Sequence, residues 1–106
     1  MIDLSSKTAV VTGAGQGVGL GIATALAKHG AKVALLGRTF DKVEKASKNL
    51  NKEGLITIAV ECDVKHEESI DLAIAQIISE FTTINVLINN AQEVPLGSVL
   101  EISEED

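Results

Sequence analysis

Hydrophobic and polar positions along this chain follow two patterns in turn, one typical of strands and one typical of helices. Short apolar runs rich in β-branched residues are typical of buried strands, and there are four: 7–12, 32–36, 56–61 and 86–89. Between them, apolar residues three or four positions apart indicate amphipathic helices, over 17–29, from Asp41 onward, and over 67–81. The pattern therefore predicts strands and helices in strict alternation.

Local signals predict where the helices begin and end. Gly30 follows the first helix, where glycine commonly ends a helix. Asp41 with Glu44 three residues later resembles a capping box at the start of the second helix. The apolar stripe of that helix is Val43, Ala46 and Leu50, and its lysines face water: Lys42, Lys45, Lys48 and Lys52. Beyond Pro95 the sequence predicts the start of another helix.

Strands and helices in alternation form a parallel sheet with right-handed crossovers and helices on both faces. The nearly continuous apolar strands fit burial on both faces. We therefore expect an α/β, Rossmann-like doubly wound parallel sheet with four strands in the order 3-2-1-4. A length of 106 residues fits a single domain, residues 1–106.

Composition excludes several partners and compartments. The chain has 45% hydrophobic residues, a net charge of -6 and two aromatic residues, so neither phosphate neutralisation nor base stacking favours nucleic acid. Its apolar runs are too short to span a bilayer. The N-terminal residues lack the layout of a signal peptide. We therefore expect a cytoplasmic protein without a membrane partner.

Disulfides and metal sites are also unexpected. Cys62 is the single cysteine, so no internal disulfide can form. His29 and His66 are far apart and have no ligand partner nearby in sequence, which argues against a metal site. Cys62 itself is expected to be a small buried residue with an inert thiol.

A glycine-rich turn, TGAGQGVG at 12–19, joins the first strand to its helix. In a doubly wound sheet, ligands bind at the carboxyl ends of the strands beside the first strand. Bare backbone there lets a pyrophosphate approach, and the helix N-terminus offers unpaired N–H groups. The alternative is that the glycines serve only a tight turn.

The spacing departs from G-x-G-x-x-G but matches T-G-x-x-x-G-x-G, through Thr12, Gly13, Gly17 and Gly19. It resembles the short-chain dehydrogenase/reductase family. Two further segments support this: Asp63-Val64 after the third strand, and Asn89-Asn90-Ala91 after the fourth, where the family carries N-N-A-G. The resemblance covers the whole chain, although the fold would be incomplete relative to the family.

The resemblance implies a set of cofactor-binding residues. They are Thr12, Gly13, Gly15, Gln16, Gly17, Val18, Gly19, Arg38, Asp63, Val64, Asn89, Asn90 and Ala91. Asp63 would contact the adenine ring. For Asn89 and Asn90 the alternative stays open that their amides brace the sheet. Gln92, in place of the family glycine, either points away from the cofactor or crowds its nicotinamide half.

The cofactor preference depends on the end of the second strand. Arg38 lies there, about twenty residues past the turn, and no carboxylate does. A guanidinium can bind the 2′-phosphate of NADP, whereas a carboxylate would bind the ribose of NAD. The sequence therefore favours NADP(H), with NAD(H) as the alternative. Gln16 weakens this, because NADP-preferring relatives often carry a second basic residue in the turn. Asp41 could in principle reach the ribose, but it is better explained as a helix cap.

Catalytic residues are missing from the chain. The family uses a tyrosine and lysine spaced Tyr-x-x-x-Lys, a serine and an asparagine, and this chain contains no tyrosine. No other acid or base is placed beside the turn. We therefore expect no turnover from these 106 residues alone.

Three hypotheses follow. The first is the N-terminal, cofactor-binding portion of a longer oxidoreductase that acts on a small alcohol or carbonyl substrate and forms a homo-oligomer. The second is a stand-alone, non-catalytic NADP(H)-binding module, a sensor or the partner of a larger relative. The third is a structural interaction protein in which the glycine turn is a relic.

Overall fold

The four apolar runs form strands and the periodic segments form helices in a computed structural model that describes residues 3–90. In chain order the elements of this part are β1 (Thr8–Thr12), α1 (Gly17–Lys28), β2 (Lys32–Gly37), α2 (Phe40–Lys52), β3 (Thr57–Glu61), α3 (Glu67–Phe81) and β4 (Val86–Ile88). Each lies within one or two residues of its prediction. Ala91, Gln92 and the helix expected beyond Pro95 lie outside the described residues.

The strands form one parallel sheet in the order β3-β2-β1-β4, as the sequence predicted. In register, Val10 lies between Ala34 of β2 and Leu87 of β4. The chain first adds strands to one side of β1 and then crosses to the other side with β4. The carboxyl end of β1 is therefore the point where the strand order reverses, and ligands bind at such points in doubly wound sheets.

Alternate strand residues face two separate hydrophobic cores, as burial on both faces requires. On one face, α1 and α2 cover a core that includes Val11, Val33 and Leu35, all fully buried. On the other face, α3 places Ile77 and Phe81 against a core that includes Val10, Leu36 and Val60. The Val43, Ala46 and Leu50 stripe of α2 is buried as predicted.

The start of α2 differs from the prediction. The helix begins at Phe40 with Thr39 as its N-cap, and no side chain caps it. The prediction of a capping box at Asp41 is therefore wrong. Asp41 lies inside the first turn, because the backbone is already helical one residue earlier. At the end of α1 the prediction is confirmed, since Gly30 adopts a φ of 103° that favours glycine.

A polar network with Ser47 and Thr57 buried at its centre holds α2 against β3. The hydroxyls of Ser47 and Thr57 lie 2.6 Å apart. Asn51 Oδ1 accepts hydrogen bonds from both the backbone N–H and the hydroxyl of Thr57, each 3.0 Å long. Because buried polar groups are costly when unpaired, this network fixes where α2 sits on the sheet. Within residues 3–90, no helix is long and apolar enough to cross a membrane.

Candidate functional site

Two glycines give the turn between β1 and α1 its shape. Gly13 and Gly17 have φ values of 60° and 62°, in the left-handed region that costs other residues about 1–2 kcal/mol. Gly13 follows the last residue of β1, and Gly17 is the first residue of α1. The chain therefore leaves the sheet and enters the helix through backbone conformations that glycine adopts most readily.

A third glycine, Gly19, lets the first turn of α1 pack directly on this loop. It is buried, and a Cβ built on it would overlap the carbonyl oxygen of Gly13. The same Cβ would lie 2.7 Å from Nδ2 of Asn90. Contact this close leaves no room for any side chain. Gly19 therefore has a packing role, and it holds the helix N-terminus at the carboxyl end of β1.

The outer side of the same turn is open. A Cβ built on Gly17 would meet nothing within 4 Å, and the neighbouring Val18 is 71% exposed. Gln16, the N-cap of α1, makes no side-chain cap hydrogen bond. The first N–H groups of a helix have no partner within the helix, and here no cap occupies them. An anion can therefore approach these donors over bare backbone, which fits a pyrophosphate group.

Thr12 and Asn90 tie the ends of β1 and β4 together. Thr12 Oγ1 accepts a hydrogen bond of 2.8 Å from the backbone N–H of Asn90. The side-chain amide of Asn90 donates to the carbonyl oxygen of Gly13 over 3.3 Å. Asn89 Oδ1 lies 3.3 Å from Thr12 Oγ1 and accepts from it. Both asparagine amides thus brace the turn, one of the two roles that the sequence left open.

Arg38 and Asp63, 25 positions apart in sequence, line one concave surface at the carboxyl edge of the sheet, and the other residues lining it are Glu61, Ser69 and Leu72. Arg38 follows β2 directly and is exposed, and Asp63 follows β3 after one intervening residue. The parallel register explains their approach, because Gly37 of β2 pairs with Glu61 of β3. A guanidinium and a carboxylate therefore lie on one surface at this edge of the sheet.

Asp63 shapes its own loop. Its backbone N–H donates to Ser69 Oγ over 2.8 Å, and its Oδ1 accepts from the Lys65 N–H over 3.1 Å. Oδ2 lies 3.6 Å from Nε2 of His66. The Asp63 side chain is nevertheless 34% exposed, so its oxygens can still accept from a ligand. Val64 is half-buried beside the α3 core.

Sequence reasoning missed one contact. Lys42, expected only to face water, donates a hydrogen bond of 3.2 Å from its Nζ to Gln16 Oε1. It is exposed, but it lies against the glycine turn, since a Cβ built on Gly15 would lie 3.0 Å from its own Cβ. The two partners are 26 positions apart, so no local spacing could reveal the contact.

Cys62 and the histidines add no reactive centre. Cys62 is 2% exposed, and burial raises the pKa of its thiol, which confirms the expectation of a buried cysteine. Its Sγ lies 3.9 Å from the Ser69 carbonyl oxygen. Among residues 3–90 no three histidine, cysteine, aspartate or glutamate residues cluster as metal ligands would. The open turn offers backbone N–H donors to an anion, and the sequence contains no tyrosine that could act as an acid or base.

Comparison with known proteins agrees with this geometry. Residues 7–106 match the short chain dehydrogenase family. The oxidoreductase UcpA of Salmonella typhimurium strain LT2 is 42% identical over 106 residues, which is 100% of this chain and 40% of that protein. The 5-keto-D-gluconate 5-reductase of Escherichia coli K12 is 35% identical over 91 residues, 86% of this chain and 36% of that protein.

Solved structures share the fold. A hydroxysteroid dehydrogenase from Escherichia coli superposes with a TM-score of 0.82 at 30% identity, over 84% of this chain and 38% of that one. L-sorbose reductase from Gluconobacter frateurii, solved with NADPH and L-sorbose, gives a TM-score of 0.80 at 36% identity, over 84% and 34%. This chain thus spans about 40% or less of the length of these proteins.

Proposed function

This chain belongs to the short-chain dehydrogenase family, and we propose that it is the NADP(H)-binding portion of an oxidoreductase. In that proposal the complete protein interconverts an alcohol and a carbonyl compound by hydride transfer. The observation that carries the proposal is the open glycine turn at the N-terminus of α1. It lies where the strand order of the sheet reverses, and Gly17 leaves the space beside the backbone free.

Each part of the site has a task in this proposal. The bare backbone of Gly13, Gly15 and Gly17 binds the pyrophosphate. Val18 packs on the cofactor from its exposed position. Thr12 at the end of β1 and Asn89 and Asn90 just beyond β4 hold the turn in place. Asp63 and Val64 would border the adenine ring. Gln16 would border the cofactor from the N-cap position of α1, and Gly19 lets α1 pack closely on the turn. Ala91, next to Asn90 in sequence, keeps its predicted role in binding the cofactor.

Arg38 supports NADP(H) over NAD(H). Its guanidinium is exposed, and within residues 3–90 no ion pair joins it to a carboxylate. A free guanidinium can bind the 2′-phosphate through two parallel hydrogen bonds. The solved L-sorbose reductase carries NADPH, which is a property of that relative and agrees with the proposal. NAD(H) remains the alternative ligand of the same site.

The nicotinamide of the bound cofactor supplies the hydride, while the protein supplies binding, orientation and a proton. The residues of this chain account for binding and orientation only. With no tyrosine in the sequence, a tyrosine acid or base would have to come from elsewhere in the complete protein. A second candidate function is a non-catalytic NADP(H)-binding module, which would use the same open turn.

Titration of the 106-residue chain with NADPH tests the proposal, with the fluorescence of the reduced nicotinamide as readout. We expect saturable binding, and weaker binding of NADH. An absence of binding at millimolar NADPH and NADH would contradict the proposal and would favour a turn that serves only the fold. An oxidoreductase and a non-catalytic module are then separated by assaying the natural protein for NADPH oxidation with carbonyl substrates.

A further inference from the structure

A polar contact between α2 and the glycine turn involves a cation. Lys42, the third residue of α2, donates from Nζ to Gln16 Oε1 over 3.2 Å. Gln16 is the N-cap of α1, directly before the turn of bare N–H groups. The hydrogen bond therefore holds an ammonium group against the N-cap residue of α1, on the side of the turn that faces α2.

Arg38 lies four residues before Lys42, in the segment that connects β2 to α2. Both side chains are exposed. Within the described part of the chain neither of them forms an ion pair with a carboxylate, although that part includes other ion pairs, such as Lys48 with Glu44. Arg38 and Lys42 thus lie on either side of the start of α2 along the chain. In a protein of net charge -6, two cations without a carboxylate partner favour a ligand with its own negative charge.

We infer that Lys42 is a second determinant of NADP(H) preference: together with Arg38 it contacts the 2′-phosphate of the cofactor. This inference rests on the proposed function. Gln16 weakened the assignment of NADP(H) because NADP-preferring relatives often carry a second basic residue in the turn. Here Lys42 supplies the second basic group from α2. Gln16 then acts as the hydrogen-bond acceptor that positions the Lys42 ammonium.

Neighbouring charges do not cancel this pair. Asp41 adjoins Lys42 and carries a carboxylate in the same first turn of α2. Successive helix positions do not face each other, so Asp41 points to a different side of the helix from Lys42. Glu61 and Asp63 border Arg38 on the side of β3 and α3, whereas Lys42 contacts the turn after β1.

Calorimetric titration with adenosine 2′,5′-bisphosphate and with adenosine 5′-monophosphate tests the inference on the whole chain. These probes differ only in the 2′-phosphate. Lys42→Met keeps the aliphatic stem that lies beside Gly15 and removes the charge. We expect it to weaken bisphosphate binding about 5- to 20-fold, the range for losing one partly screened charge contact. Binding of the monophosphate should change less than twofold.

Two control variants make the result specific. Lys45→Met removes an exposed charge one helix turn away and should leave both affinities unchanged. Lys42→Arg keeps a positive charge and should retain most of the bisphosphate affinity. An unchanged ratio of the two affinities in Lys42→Met would overturn the role of Lys42 while leaving the proposed function intact. If the unmodified chain bound neither probe, both proposals would be wrong.

Discussion

The backbone N–H of Asn90 donates to the hydroxyl of Thr12 over 2.8 Å, so the last residue of β1 fixes the chain just beyond β4. Asn90 then returns a second hydrogen bond to Gly13 through its side chain. The glycine turn is therefore held from two sides, by its own helix and by β4. Its shape before any ligand binds depends on this pair of residues.

Removing the Thr12 hydroxyl should loosen the turn. Thr12→Val keeps the size of the side chain but leaves the Asn90 N–H without its acceptor, a loss of about 1–3 kcal/mol in the free energy of unfolding. Urea denaturation followed by circular dichroism measures it. Thr12→Ser keeps the hydroxyl and should lose less. A larger loss in Thr12→Ser than in Thr12→Val would show that the methyl group, and not the hydrogen bond, matters.

Two glycines of α1 should respond in opposite directions to the same substitution. Gly19→Ala forces a methyl group into the Gly13 carbonyl and should cost about 2–3 kcal/mol of unfolding free energy. Gly21→Ala adds a methyl group with nothing within 4 Å and should stabilise the helix by about 0.5–1 kcal/mol. Thermal unfolding of both variants checks this. Destabilisation of similar size in both would contradict the close packing of Gly19 on the turn.

Arg38→Asp should reverse the cofactor preference. A carboxylate repels the 2′-phosphate and accepts from the ribose hydroxyl of NAD. We expect NADPH affinity to fall at least about tenfold, or about 1.4 kcal/mol, and NADH to become the tighter ligand. Lys52→Asp, at the other end of α2, makes the same charge change as a control. If both affinities stayed as they are, Arg38 would have no role in the preference.

Cys62 should resist modification while the chain is folded. Burial, the largest effect, raises the pKa of its thiol, and the thiolate is the reactive form. Alkylation with iodoacetamide at neutral pH should therefore be slow in buffer and fast in urea, as followed by mass spectrometry. Rapid alkylation of the folded chain would contradict the burial of this residue.

The same pKa shift makes stability depend on pH in the alkaline range. When the pH rises through the ordinary pKa of a thiol, Cys62 ionises in the unfolded chain before it does in the folded one. The unfolded state then binds fewer protons, so the free energy of unfolding falls as the pH rises. Replacing Cys62 with alanine should remove this part of the alkaline decline, which urea titrations at several pH values would measure.

Much of the fold could be predicted because its signals are local. Strand runs, helix periodicity and Gly30 depend on neighbouring residues. The order 3-2-1-4 is the one expected of a Rossmann-like sheet, the fold that the alternation of strands and helices indicated. The start of α2 was missed because Asp41 carries the signature of a cap although the helix begins at Phe40. The capping preference of one residue did not decide where the chain that leaves β2 becomes helical.

The site was predictable as a set of residues but not as a set of contacts. The spacing of Thr12, Gly13, Gly17 and Gly19 identified the turn, and Arg38 and Asp63 were expected at strand ends. The contact of Lys42 with Gln16 depends on how α2 lies on the sheet, which the buried pairing of Ser47 with Thr57 helps to fix. Such tertiary contacts leave no pattern along the sequence.

The central claim is that a nicotinamide dinucleotide lies on the bare backbone of the glycine turn. Amide chemical shifts of the isotope-labelled chain, measured by NMR during titration with NADPH, test it most directly. We expect the largest shifts at Gly17, Val18 and Gly19, with smaller ones at Arg38. The amide of Lys32, at the opposite end of the sheet, should not move. Saturating shifts that spare residues 13–19, or no shifts at millimolar NADPH, would contradict the claim.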